Sequence, residues 1–256
     1  MTYKMDEINA IKTRISRRQF DGQALSKELM SHLNEKIVAY NHESGLSIQL
    51  IEDAGRAFNG LRKSYGLFSG VKSLIVLKGA TSDIYLKEKC GYFGERLVLE
   101  ATRLGLGTCW VAGTFDKTEP IFKCDESESL ICVIPIGVSP SEATTKEKII
   151  RSLSHRKSKP YERFINNRDL SDIPDWLSVG IKSIMLAPSA VNSQPVYLEL
   201  REGILSIHTP DKKATDLVDL GIAKLHFELA AGGSFPRGNG VTFFKSKEKE
   251  SFESEF

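Results

Sequence analysis

Two stretches of this chain match each other across half its length. KCGYFGERLVLEA, residues 89–101, and DLGIAKLHFELAA, residues 219–231, each place a glycine near the start of an apolar helical pattern that closes on Leu-x-Ala. Gly91 and Gly221 stand in matching places, separated by half the chain. A repeat of this period constrains the fold strongly, because a duplicated unit buries its apolar face against its own copy. The chain then divides into related halves, residues 1–160 and a shorter 161–256. The competing reading is two ordinary amphipathic helices, since the segments between the copies are less alike.

The rest of the pattern alternates helices with short strands. Residues 5–15 and 25–40 carry the 3.6-residue apolar rhythm of helices, and LSIQLI within 44–52 alternates like a short strand. SLIVLKGA at 73–80 and LICVIPIGV at 130–138 read as buried strands. The helix at 90–107 stops at LGLG, residues 139–163 form a polar connection, a helix–loop–strand block spans 170–208, and a last helix covers 217–231. The charged tail SKEKESFESEF reads as frayed.

Net charge is +2, against the basic excess of a nucleic-acid binder. No apolar run approaches the roughly 18–20 residues of a spanning helix, and the opening MTYKMDEINAIKTR has no secretory signal, so a soluble cytoplasmic protein is expected. Cys90, Cys109, Cys124 and Cys132 form no CxxC pair and read as free thiols, and the five histidines are scattered, so no metal site is expected.

Four segments carry chemistry. In TRISRRQF, residues 13–20, Arg14, Ser16 and Arg18 alternate, so an extended backbone would turn two guanidinium groups and a hydroxyl to one side, a set suited to phosphate. A solvated basic helix end is the plainer reading, and nucleic-acid contact a third. LGLGTCWVAG, residues 104–113, follows a helix where a dinucleotide fingerprint must precede one, so that reading fails; the glycines still let bare backbone approach something closely. HRKSKP at 155–160 is a second basic cluster, or a solvated loop. APSAVNSQP, residues 187–195, has more hydrogen-bonding capacity than a turn needs, enough to read the edge of a polar heterocycle, or to build an elaborate helix cap and strand entry.

In this order, Arg-x-Ser-x-Arg-x-Phe, LGLGTCW and Pro-Ser-Ala-x-Asn-x-Gln-Pro resemble the nitroreductase family of FMN enzymes, over roughly residues 5–235. Usual members place the Pro-Ser loop shortly after the basic segment. Here it lies far downstream, in the second half, and the chain is therefore similar to the tandem-duplicated single-chain branch of thermophile-type TM nitroreductases. The resemblance implies an α+β fold: two degenerate nitroreductase-like halves forming an internal pseudo-dimer, with mixed, mainly antiparallel sheets surrounded by helices, and FMN between the halves. A monomer would then be complete.

The resemblance also assigns roles. Arg14 and Ser16 would hold the FMN phosphate, with Arg156 and Lys157 closing on it, and Arg18 would sit nearer the pyrimidine edge, where reduced flavin gathers negative charge. The backbone of Val111, Ala112 and Gly113 would approach the flavin N5 and O4. Pro188, Ser189, Ala190 and Asn192 would line the ring or the ribityl chain, with Asn59 a further candidate contact. Many relatives carry Glu where this chain has Ala112, and Trp where it has Val196. The implied chemistry is ping-pong: NADPH or NADH gives hydride to flavin N5, and a small-molecule acceptor (nitroaromatic, quinone or flavin) then takes it. No side chain acts as catalytic nucleophile. Other flavin chemistry on the same scaffold, such as dehalogenation or flavin fragmentation, and a flavin binder without reductase activity are the alternatives.

Overall fold

The structure is a computed structural model that describes residues 6–58, 67–140, 159–166 and 173–246. In chain order the first part forms α1 (Glu7–Thr13), α2 (Lys27–Ser44), β1 (Gln49–Ile51), β2 (Ser73–Ala80), α3 (Leu86–Arg103), β3 (Gly107–Thr108) and β4 (Glu128–Gly137). The second part forms α4 (Asp175–Leu186), β5 (Tyr197–Arg201), β6 (Ile204–His208), α5 (Asp216–Ala231), β7 (Gly233–Ser234), β8 (Val241–Thr242) and β9 (Phe244–Lys245).

Local chemistry sets the ends of these helices. Asp6 caps α1 by accepting a hydrogen bond from the Asn9 N–H at 2.7 Å. Ser26 caps α2 in the same way through Leu29 N–H. Gly45 and Gly232 end α2 and α5 in the left-handed conformation that closes a helix. β1 is shorter than LSIQLI predicts: only Gln49–Ile51 pairs continuously with β2, while Leu46 reaches Gly79 through an isolated bridge.

Every pairing between named strands is antiparallel. One sheet has the order β1-β2-β4-β3, a second β5-β6-β8, and β7 pairs with β9. Parallel geometry enters through single bridges, Ser16 to Thr108, Gln19 to Ser69 and Ile165 to Leu198. The expected α+β class with mainly antiparallel sheets is what the chain forms.

α3 and α5 cross at the centre, where both bury residues on nearly every side. Val218 and Ile222 of α5 enter the core that α2, α3, β2 and β4 build, while Leu220, Ala223 and Phe227 enter the core of α4, β5 and β6. The crossing is reciprocal. A Cβ on Gly91 would collide with the Val218 carbonyl oxygen, and one on Gly221 with the Glu88 carbonyl oxygen. Glu88 precedes Gly91 by the same three positions by which Val218 precedes Gly221, so each copy of the repeat offers the other the same carbonyl. Such close backbone approach admits no side chain larger than glycine's hydrogen.

Burial from all sides brings polar groups inside, and the charged ones at the crossing are paired, as the cost of desolvation requires. Lys224, fully buried, donates to Glu88 Oε1 at 2.6 Å and to the carbonyls of Pro236 and Gly238. Tyr92 donates to Glu228 Oε2 at 2.6 Å. With Gly238 N–H donating to Glu88 Oε2 at 2.7 Å, these bonds tie the segment after α5 to both crossing helices.

Candidate functional site

α1 ends one residue before Arg14, and the chain then runs extended. Ser16 bridges Thr108 in parallel, Arg17 N–H donates to Thr108 O at 2.8 Å, and Phe20 N–H donates to Ser69 O at 3.0 Å. The backbone through Arg14, Ser16 and Arg18 is extended, as their alternation predicts, and the basic segment lies beside the chain that leads to Gly113. Gly107 is the reason it can: a Cβ there would press on the Arg17 side chain and strike Ser139 Oγ. The close backbone approach expected of LGLG is thus with the basic segment itself. Further on, Val111 pairs with Val133 and is buried, while Ala112 and Gly113 are exposed.

Arg14 is the unusual group. Its side chain retains only 11% of its exposure, and its Nε is buried with no hydrogen-bond partner. Its ion-pair contact is Glu95 Oε1, 3.8 Å from Nε and beyond hydrogen-bond length. Buried donors are normally satisfied, and one that is not calls for a physical reason. Ser16 is exposed beside it, and Arg18 is half-buried. A cation with an unpartnered donor at Arg14, an exposed hydroxyl at Ser16 and the exposed residues Ala112 and Gly113 are groups of the chemistry that an anionic ligand takes.

APSAVNSQP forms a strained loop after α4. Val191, Asn192 and Gln194 have φ of 49°, 52° and 42°, left-handed values that a β-branched residue such as Val191 seldom adopts. The surroundings over-determine the shape. Ser189 Oγ accepts from Gln194 N–H at 2.9 Å, the Gln194 amide donates to Met185 O, and Gln194 Oε1 and carbonyl oxygen accept from the Lys159 N–H and Nζ at 2.8 and 2.7 Å. Ala190 N–H donates to the Asp219 carboxylate at 3.1 Å. Ser189 is therefore engaged within the loop and the Gln194 side chain with Met185 and Lys159 outside it, while Pro188, Ala190 and Asn192 are half-buried. Arg156, Lys157 and Asn59 lie outside the described residues.

Burial, reinforced by Asp216, pushes the Asp219 carboxyl up to about 7, against the opposing pull of Ala190 N–H and Lys213. Burial, with the Asp219 charge adding to it, likewise holds the Cys132 thiol on β4 up. An ordinary aspartate titrates near ~3.9, so the folded state holds this proton more tightly than the unfolded one. The associated stability is complete below about pH 4 and is lost as pH rises through about 7. Asp219→Asn, whose amide oxygen can still accept from Ala190, is expected to melt several degrees above the parent at pH 8, with the gain fading toward pH 5. Melting curves at the two values check this; an equal gain at both would mean that Asp219 does not titrate in that window.

The pattern reading missed the polar groups that join these segments. Trp110 Nε1 donates to Glu95 Oε2 at 2.8 Å, and Glu95 Oε1 lies 2.9 Å from His226 Nε2. His226 Nδ1 is 3.2 Å from Ser183 O, and Ser183 Oγ donates to His226 O at 2.7 Å. α4, which carries Ser183, leads directly into the Pro-Ser loop. The chain's two parts are linked to Arg14 and Trp110 through this cluster. The sequence signal that could have found Glu95 is its spacing of four from both Gly91 and Leu99, on the face of α3 that turns inward.

Among the described residues no group of three or more His, Cys, Asp or Glu side chains could hold a metal, and no helix is long and apolar enough to cross a membrane. No curated protein matches the chain. Among solved structures, a "putative nitroreductase" from Thermotoga maritima MSB8 superposes with a TM-score of 0.67 at 23% identity, covering 95% of this chain and 94% of that one. An FMN-dependent nitroreductase from Clostridium difficile R20291 matches at 20% identity over 53% of this chain and 89% of its own, with a TM-score of 0.44. The first of these shares its fold with this chain nearly end to end. The family model described as "Putative TM nitroreductase" matches residues 6–231, and the chain belongs to that nitroreductase family.

Proposed function

We propose that the protein is an FMN-dependent oxidoreductase of nitroreductase type, taking electrons from NADPH or NADH and giving them to a small electron-poor acceptor such as a nitroaromatic, a quinone or free flavin. The observation that carries the reading is Arg14: a nearly buried guanidinium with an unsatisfied Nε, beside an exposed serine, in a chain of this family. A phosphate satisfies such a group better than water can, through charge-assisted hydrogen bonds.

The residues fit FMN. Arg14 and Ser16 would hold its phosphate, with Arg156 and Lys157 as further donors; Arg18 would face the pyrimidine edge, and the backbone of Val111, Ala112 and Gly113 the other polar edge of the ring. Pro188, Ser189, Ala190 and Asn192 would form the opposite wall. Bound FMN would supply reversible two-electron chemistry between the nicotinamide donor and the acceptor. The protein's own part is to neutralise developing negative charge with Arg18, to offer N–H donors from exposed backbone, and to hold the cofactor's phosphate.

We read residues 1–160 and 161–256 as the two halves of an internal pseudo-dimer, complete as a monomer in the cytoplasm. The reciprocal contacts of Gly91 and Gly221 at the crossing of α3 and α5 support that reading. A second reading, a flavin binder without reductase activity, draws support from the loop: Ser189 and Gln194 are engaged internally, which leaves fewer donors on that wall.

An absorbance spectrum of the purified protein with FMN, before and after anaerobic NADPH or NADH, tests both. The expected result is a flavin spectrum that bleaches and recovers when a nitroaromatic or quinone is added. A flavin that dithionite reduces and pyridine nucleotides do not would favour the binder, and a protein that takes up no FMN would remove the flavin reading altogether.

A further inference from the structure

Glu95, wholly buried on α3, touches two of the segments that carry the site, through Arg14 and Trp110, and α5 through His226. Both of its oxygens have hydrogen-bond partners that belong to packed elements: Trp110, which immediately precedes Val111–Gly113, and His226 on α5. The carboxylate is therefore fixed without help from Arg14. Its relation to Arg14 is of another kind, since the 3.8 Å separation places opposite charges side by side while Nε keeps no hydrogen bond.

A buried guanidinium needs a counter-charge, and removing one partner of a buried pair is strongly destabilising. A counter-charge that makes no hydrogen bond to Nε meets that need and leaves this donor of Arg14 for a ligand. It also has a consequence for that ligand. A phosphate received by Arg14 comes to rest near a second negative charge, in a region where burial weakens screening, and like charges there repel.

We propose that Glu95 is a positioning residue of the anion site: a fixed resident counter-charge that balances the buried Arg14 guanidinium in the ligand-free protein, and that holds down the affinity for the anion Arg14 receives. The inference rests on the flavin reading above and adds a control on it. The carboxylate opposes phosphate binding and is indifferent to the uncharged flavin ring.

The test is titration of the parent and Glu95→Gln with FMN, riboflavin and inorganic phosphate, together with melting curves. Glutamine keeps the volume and an acceptor for Trp110 while removing the charge. The variant is expected to bind FMN and phosphate about tenfold more tightly, a change of ~1.4 kcal/mol, with riboflavin affinity unchanged. Its ligand-free form is expected to melt lower than the parent and to be restored by phosphate. A residue with a merely structural role would weaken all three ligands or none.

A folded Glu95→Gln protein that binds FMN no more tightly than the parent overturns the proposal, as does an equal gain for riboflavin. Should that variant not fold, Glu95→Asp retains the charge but withdraws it by one methylene; a gain of about threefold for phosphate is expected, and no gain overturns the proposal. A parent that binds neither FMN nor phosphate overturns the flavin reading and this inference with it. A parent that binds FMN while the variants gain nothing overturns this inference alone.

Discussion

Gly91→Ala is expected to lower the melting temperature by roughly 6–12 °C or to prevent folding, although it adds one methyl group. The new Cβ would collide with the Val218 carbonyl oxygen, which is backbone and has no rotamer to yield. α3 and α5 would have to separate, and the whole crossing would loosen: Val218 and Ile222 in one core, Leu220 and Phe227 in the other, and the Glu88–Lys224 and Glu95–His226 pairs between the helices. Overpacking a tight site commonly costs ~1–3 kcal/mol and sometimes more, and the upper end applies where two backbones meet. For a chain of 256 residues, each kcal/mol moves the midpoint by roughly 2–4 °C. Gly221→Ala should behave alike, since its Cβ would meet the Glu88 carbonyl oxygen. The double variant should cost less than the sum, because helices already pushed apart by one methyl accommodate the second. Gly113→Ala is the control: nothing lies within 4 Å of the Cβ position there, and its melting point should hold. Melting curves of the four variants against the parent decide it, and full additivity of the two helix variants would show that the contacts are independent.

The sequence showed those parts of the fold that a single segment can encode. β2 and β4 were legible because both are apolar runs inside one sheet, and α3 and α5 because their apolar faces end in glycine-rich stops. The extended form of the basic segment was legible in the alternation of Arg14, Ser16 and Arg18. What stayed hidden depends on residues far apart in the chain. Glu95, in GERL, reads as a solvent-facing helix charge until α5 crosses above it and supplies His226, 131 residues on. Lys224 and Glu88 hide in the same way, with their pairing spanning 136 residues. The Pro-Ser loop was recognisable as polar and proline-bounded, yet a left-handed Val191 runs against local preference. The loop's bonds to Lys159, Met185 and Asp219 help to hold that conformation.

Arg14→Ala combined with Arg18→Ala is expected to weaken FMN binding by about 10²–10⁴-fold, since each charge-assisted hydrogen bond contributes roughly 1.5–3 kcal/mol. Riboflavin serves as the internal comparison. Loss of the phosphate contacts alone should leave its affinity close to the parent's, whereas a smaller common loss for both flavins would measure what Arg18 gives to the pyrimidine edge. The two substitutions also differ in what they do to the protein. From the pattern of charges both read as surface changes with little effect on the fold. In the structure Arg14 faces the fully buried Glu95, so Arg14→Ala leaves a carboxylate without its counter-charge, and the single variant should melt lower. Adding Glu95→Gln to Arg14→Ala should recover much of the melting temperature and none of the FMN affinity. This separates the guanidinium's two duties, balancing a buried charge and binding a ligand's phosphate. Fluorescence titration supplies the affinities, and unchanged FMN binding in the Arg14→Ala, Arg18→Ala protein would mean that the phosphate is held elsewhere and that residues 14–18 serve packing alone.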